Sequence, residues 1–578
     1  MRAPHAPEEE MGPHPIDETL SLGTLVLKGH DFSRAAEEPA PAAALAAEGI
    51  LVARAEIRTG FVSERDFSRA VCAPKSMRAL APEGTLREKL TFSAACLSAL
   101  ILLAGCKPVG PNYNRPTYTA PATYKETGAS TVQVPLTPPP NPAGGGWQPA
   151  TPSDGMLKGK WWEIYQDPQL NQLEERIATY NQGLRGALET YLAAQDQVKA
   201  ARSALFPTLS LDPSVTHYKN SAHKPETTPT TASNYNDLIL AGGGSWEPDF
   251  WGRIRRTVEA AHENAQASAA DMANLDLSLQ STMAADYFQL RGLDAEIKLL
   301  RQTITDLESQ LDLAERRLKG GVATEADVAQ ARTQLETVRA QLVDLGVARA
   351  QYEHAVGTIA DYKLPTFSIP FSPLDLKLPD VPLGVPSQLL ERRPDIAAAE
   401  RRTAAANEEI GIAVSAFYPT ISLTGQGGFE STHGGTLIQG PSALWSLGAQ
   451  ATELLFDAGQ RRALTDQAKH QYEAQVAAYK SAVFLAFNDV EDQLSGLRIL
   501  EQESSAEQKA VDSAQHSYDI SNQRYKGGVT SYLEVLTAEA TLIQNQQAAI
   551  NLETRQFVDS VGLVRSLGGG WDASQLPK

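Results

Sequence analysis

The chain has 578 residues, a formal net charge of −18 at pH 7, 42% hydrophobic residues and 21% charged residues. That is ample apolar material for a folded protein, and the acidity argues against nucleic-acid binding. Residues 1–76 are rich in Ala, Pro, Glu and Arg without sustained periodicity, and are expected to be disordered, an upstream extension for which Met77 offers an alternative start.

Residues 77–105 read as a secretory signal. Arg87-Glu88-Lys89 precedes an apolar run from Leu90 to Leu103 that is too short for a retained membrane helix. It ends in Leu103-Ala104-Gly105-Cys106, which resembles a bacterial lipobox, so Cys106 is the expected lipidation site. Cys72 and Cys96 lie upstream, so the mature chain would hold one cysteine and no internal disulfide. Lys107, rather than aspartate, follows; in enteric lipoproteins that resembles sorting to the outer membrane. Residues 106–153, with Pro138-Pro139-Pro140 and Gly144-Gly145-Gly146, predict an extended tether.

The ordered part opens at Trp161-Trp162 and continues as a helical pattern to Ala204. Leu209, Leu211 and Val215 alternate with polar residues in a strand, and Leu238, Leu240, Gly242, Gly244 and Trp246 share one face of a second strand. A long helix comes next. Val258, Ala261, Ala265, Ser268, Met272, Leu275 and Leu279 predict one heptad seam, and Ile297, Leu300, Ile304, Leu307, Leu311, Ala314 and Leu318 another. If Ile254 to Leu318 is one helix it is about 95 Å long at roughly 1.5 Å per residue, which makes the molecule a rod or tube.

That helix stops at Arg317-Leu318-Lys319-Gly320-Gly321-Val322-Ala323-Thr324, and the same signal returns 207 residues later as Arg524-Tyr525-Lys526-Gly527-Gly528-Val529-Thr530-Ser531. The glycine pairs are expected to supply positive φ at a helix end, and Thr324/Asp327 and Ser531/Glu534 to form capping boxes that start the next helix. Val328, Ala331, Leu335, Val338, Leu342 and Leu345 then continue the seam. The strands recur too: Ile421, Leu423, Gly425, Gly427 and Phe429 form one face, and Trp445, Leu447, Ala449 and Ala451 another, before a helix seamed by Tyr472, Val476, Tyr479, Val483, Ala486 and Val490. Each half therefore reads helix, strand, strand, long helix, turn, helix, joined by the proline-rich segment 364–386.

Each strand is long enough to cross an outer membrane when tilted, and aromatic residues gather near the strand ends (Tyr218, Tyr235, Trp246, Phe250, Trp251, Tyr418, Trp445 and Phe456), as interfacial girdles or as caps of a water-soluble sheet. Four strands cannot close a barrel alone, so several chains must pool them. The seven histidines after Cys106 are scattered, and neither a phosphate-binding loop nor a nucleophile elbow is present, so neither catalysis nor a metal or cofactor is expected.

Together these signatures resemble the outer-membrane efflux lipoproteins of the TolC/OprM-like (NodT-type) family. The resemblance rests on Val109-Gly110-Pro111-Asn112-Tyr113-Asn114-Arg115-Pro116, on Trp161 to Leu170, and most specifically on Pro386 to Glu400, and it spans Cys106 to about Gly570. It implies a mainly α fold with membrane β structure: a long coiled-coil α-barrel plus a trimer-shared twelve-stranded β-barrel, four strands per chain. Residues 154–363 and 387–570 would be the two duct repeats, and 571–578 a tail. It further implies a homotrimer serving as exit duct of a tripartite pump, with a periplasmic adaptor, an inner-membrane RND-type transporter and outer-membrane lipid as partners. In that reading Arg317, Gly320, Gly321, Val322 and Ala323, with Arg524, Gly527, Gly528, Val529 and Thr530, are tips that meet the adaptor; alternatively the glycines only close tight turns, and the arginines bridge neighbouring helices. Asp327 and Glu534 are candidate gate residues or, equally, helix caps. TolC-like ducts can carry a further acid where this chain has Thr537. The rival reading is a surface-tethered coiled-coil structural or adhesive lipoprotein, which leaves the two matched strand hairpins unexplained.

Overall fold

The computed structural model describes residues 107–118, 120–121, 124–126, 159–219, 221, 234–381 and 389–577; residues 1–76, the signal segment and Cys106 lie outside them. A short 3-10 turn, Trp161–Tyr165, leads into α1 (Pro168–Tyr180) and α2 (Gln182–Ser203), then strands β1 (Thr208–Lys219) and β2 (Asn234–Trp246). Helix α3 (Arg253–Lys319) and α4 (Glu325–Ile359) complete the first half. After a single turn at Leu389–Arg392 the second half repeats the order with α5 (Pro394–Ser415), β3 (Thr420–Ser431), β4 (Ala443–Thr452), α6 (Gln460–Lys526) and α7 (Tyr532–Ser566).

Helices α3 and α6 each have 67 residues, and α4 and α7 each have 35. A 67-residue helix is about 100 Å long at roughly 1.5 Å per residue. Both long helices start after a left-handed glycine, Gly252 (φ +83°) and Gly459 (φ +90°), where the chain turns out of the sheet. Within each half the long helix folds back on its shorter partner, and α3 also packs on α7, which joins the two halves into one bundle of rods.

Seams of leucine and valine hold the rods together. Leu300, Leu307, Leu335 and Val338, in the register the sequence predicts, are buried in one cluster with Ile543 of α7. The seam nearest the sheet is different: of its seven expected residues only Ala265 is buried, and the buried face runs instead through Ala260, Ala267, Ala270, Leu277 and Ala284. Alanine permits the shift. In so small-residued a stretch either face can seat a neighbour, and α3 is flanked there by both α2 and α5.

The largest core sits halfway along the rods. The rings of Tyr165, Phe288 and Phe557 pack at tilted angles with centroids within 6.3 Å of one another, beside Trp161, Tyr287 and Tyr479, and Tyr165 Oη pairs with Ser560 Oγ at 2.8 Å. The chain crossing between the halves is strapped on here by Asp294, which is fully buried. It accepts from Arg349 Nε (2.7 Å), Arg291 Nη1 (3.2 Å) and the Ser372 backbone N–H (3.0 Å), so its charge is paired and its oxygens are filled.

The start of the described chain is extended and docked where the sheet meets the rods. Val109 N–H donates to Trp251 O (3.0 Å), Arg256 Nε donates to Val109 O (2.6 Å), and Arg256 Nη1 pairs with Glu408 (2.6 Å). Gly110 (φ +98°) lies so near Gly411 that a Cβ would come within 2.6 Å of the Gly411 Cα, so no side chain fits at this crossing.

Candidate functional site: the strand sheet and the two helical tips

The four strands form one antiparallel sheet in the order β1-β2-β3-β4. Its register decides what each face presents. Leu209, Leu211 and Val215 lie opposite Gly244, Gly242 and Leu238; Leu238 and Leu240 lie opposite Ser431 and Phe429, and Trp246 opposite Leu423; Gly425, Gly427 and Leu423 lie opposite Leu447, Trp445 and Ala449. Directly paired residues share a face, so one face of the sheet is apolar from edge to edge. The other carries Ser210, Asp212, Ser214, Thr216, Asp237, Ser245, Thr424, Gln426, Glu430, Ser446 and Gln450. Among the described residues nothing covers the apolar face: Leu209 is 85%, Val215 78%, Trp445 78% and Leu447 81% exposed. The outer strands β1 and β4 each leave one edge without a partner in the sheet. Trp246 and Trp251 anchor the strand ends by donating to Leu205 O (3.0 Å) and Pro419 O (2.7 Å).

At the far end of the rods the two tips are built alike. Gly321 (φ +72°) and Gly528 (φ +74°) take the left-handed conformation, and Val322 and Val529 N–H reach back to Arg317 O (3.0 Å) and Arg524 O (2.9 Å), closing each helix end with a five-residue return. Only the second glycine of each pair needs positive φ; Gly320 and Gly527 remain right-handed at φ −83° and −77°. A Cβ on Gly321 or Gly528 would meet nothing within 4 Å, and Val322 and Val529 are 78% and 70% exposed. Ala323 and Thr530 continue each turn.

Beyond the turns the returning helices start differently. In the first tip the expected capping box is complete: Thr324 N–H donates to Asp327 Oδ2 (2.8 Å) and Asp327 N–H to Thr324 Oγ1 (3.3 Å). In the second it is absent, a correction to the expectation: Ser531 makes no capping hydrogen bond, and Glu534 is exposed and bonds to nothing among the described residues. The cause is Tyr532. Its ring lies 5.4 Å from that of Tyr525 and its hydroxyl donates to Gln310 Oε1 (3.0 Å), so packing fixes the first turn of α7 without a cap. The matching residue in the first tip is the exposed Glu325.

Arg317 and Arg524 also part ways. Arg317 crosses to the second tip, donating to Tyr525 O and Lys526 O (2.8 Å each), with its guanidinium 4.4 Å from the Tyr525 ring centroid. Arg524 is exposed and has no partner among the described residues.

Sequence reading missed the lock that joins the tips. Gln310 on α3 donates to Tyr518 Oη on α6 (3.1 Å) and to Glu539 Oε1 on α7 (2.7 Å). Glu539 is 4% exposed, its Oε2 has no hydrogen-bond partner among the described residues, and burial, with the nearby Asp306 charge, pushes its carboxyl up to about 7 against the pull of Gln310. Burial, aided by Glu539, also pushes the Tyr518 hydroxyl up to about 12.

A sheet apolar on one face and polar on the other, on rods about 100 Å long, is a combination known proteins share. The family described as outer membrane efflux protein matches residues 174–360 and 385–569. The chain belongs to that family. The solvent efflux pump outer membrane protein SrpC of Pseudomonas putida is 31% identical over 489 residues, covering 84% of this chain and all of that one. The pyoverdine export outer membrane protein OpmQ of Pseudomonas aeruginosa is 30% identical over 427 residues, 73% of this chain and 90% of its own. Among solved structures, the open-state outer membrane channel MtrE of Neisseria gonorrhoeae superposes with a TM-score of 0.69 at 26% identity, covering 81% of this chain and 99% of that one. The protein is accordingly an outer-membrane efflux duct with long periplasmic helices, a passive conduit and not an enzyme.

Proposed function

We propose that three copies pool their sheets into a twelve-stranded barrel, each β1 edge pairing with the β4 edge of the next chain. The supporting observation is the sheet itself: an apolar face with no cover, a polar face suited to a water-filled lumen, and two open edges that lipid would not tolerate. The tips at Gly321 and Gly528 are the periplasmic end, where Gly320, Val322 and Ala323, and Gly527, Val529 and Thr530, meet a periplasmic adaptor that links the duct to an inner-membrane RND-type transporter, while Arg317 and Arg524 bridge neighbouring helices. Backbone without side chains and two exposed valines leave room for a helical hairpin. Six carboxylates, Asp327 and Glu534 from each chain, would attract cations near the narrow end. Cys106 carries the lipid: residue 107 starts a segment bound at the junction of sheet and rods, the level of the membrane surface.

The named cargoes of SrpC and OpmQ differ, solvent in one and pyoverdine in the other, although both are about equally similar to this chain. That supports selection upstream of the duct. Conductance of the purified protein in planar bilayers tests the reading: stable channels are expected, and a protein that inserts without conducting, as a tethered structural lipoprotein would, contradicts it.

A further inference from the structure

The contact made by Arg317 is half of a repeated design. Each tip sits 207 residues from its counterpart, so the bonds from Arg317 to Tyr525 O and Lys526 O have an image: bonds from Arg524 to the carbonyls of Leu318 and Lys319. Within one chain that image is unmade among the described residues. Both halves of it can nevertheless take the bond. Among the described residues Arg524 has no partner and Lys319 O accepts no hydrogen bond, just as Lys526 O accepts only from Arg317. Leu318 O accepts from Gly321 N–H (3.0 Å), as Tyr525 O accepts from Gly528 N–H (2.9 Å) while also accepting from Arg317.

We infer that Arg524 docks a second copy of this chain, donating to the carbonyls of Leu318 and Lys319 of the partner subunit at the end of its α3. The inference rests on the trimer reading, in which first and second tips alternate around a ring. The direction agrees with the helix packing. Inside a chain the long helix of the first hairpin, α3, faces the short helix of the second, α7, so the long helix of the second, α6, is left to face the short helix of a neighbour's first. A cation at a helix C-terminus is favourable, and its guanidinium spans two successive carbonyls.

The image is weaker than the original. Position 318 is leucine where 525 is tyrosine, so Arg524 gains no ring beneath it. The Gln310 lock has no image either: its counterparts are Ser517 for Gln310, Leu311 for Tyr518, Glu325 for Tyr532 and Arg332 for Glu539. The seam within a chain is thus fastened by a ring contact and a polar network, and the seam between chains by Arg524 alone of that set. When the tips part, they part between subunits.

Bismaleimide crosslinking of full-length protein carrying Arg524→Cys and Lys319→Cys tests this, with each single variant accounting for Cys106 and Arg317→Cys with Lys526→Cys as a control within one chain. The expected result is a covalent trimer with the first pair and a linked monomer with the control. Trimers by mass, an intact control and no link between subunits overturn the inference and leave the trimer reading standing; absence of trimers overturns both. Arg524→Met should also raise channel conductance while Arg524→Lys restores it in part, and an unchanged conductance in Arg524→Met overturns the fastening role.

Discussion

The two helical tips carry the same sequence signal and the same backbone turn, yet they are held by different forces. The first is self-sufficient: Thr324 and Asp327 cap the returning helix from within. The second depends on its neighbour, through Tyr532 on Gln310 and through Arg317 over its last carbonyls. One tip of the tandem repeat stands alone, and the other is held in place by the first. Local motif and tertiary contact are interchangeable ways to start a helix, and the chain uses one in each copy.

The largest expected effects come from attacking what the tips share. Tryptophan at both Val322 and Val529 should leave the oligomer intact and abolish resistance to exported compounds in a strain that depends on this duct, read by growth in their presence. Resistance unchanged in such a strain would place adaptor docking elsewhere.

Next comes the lock that only the second tip uses. Glu539 has a folded-state pKa of about 7, above the ordinary carboxyl value near 4.5, so its neutral form is favoured in the folded chain. Its contribution is therefore fully present below about pH 4 and is lost as pH rises through about 7, a swing on the order of 3 kcal/mol. Asp306 on α3, Lys526 at the end of α6 and the Tyr518, Tyr525 and Tyr532 hydroxyls are the titratable groups around it among the described residues. Hydrogen exchange in the tips, corrected for intrinsic rate, should be faster at about pH 8 than at about pH 6, and Glu539→Gln should flatten the difference. An equal pH response in the variant would remove Glu539 from the lock.

The smallest effect is the sharpest test of the difference between copies. Asp327→Ala should cost about 1 kcal/mol, the usual worth of a capping interaction, whereas Glu534→Ala should cost nothing measurable in denaturant unfolding. Equal costs would mean that the second box forms in solution. Asp327→Asn with Glu534→Gln should weaken divalent-cation block of conductance; unchanged block would leave Asp327 as a cap and Glu534 without a gating role. Palmitate labelling should be lost in Cys106→Ser.

The sequence made the architecture legible because its period is explicit: leucine and valine at three- and four-residue spacings, alternating strands, and a turn written twice. It misplaced the alanine-rich seam of α3, where small residues on every face leave periodicity without contrast. The polar lock was illegible for another reason. Gln310 and Glu539 lie 229 residues apart, and on paper each is an ordinary surface residue of a helix. Only packing α3 against α7 makes one the partner of the other. The missing second capping box shows the converse, a correct motif overruled by a neighbouring tyrosine.

The central claim is that one chain carries a third of a pore. Counting subunits by photobleaching of singly labelled protein in bilayers, with conductance recorded from the same particles, tests it directly. Conducting particles should bleach in three steps, and particles that conduct with a single step would contradict the account.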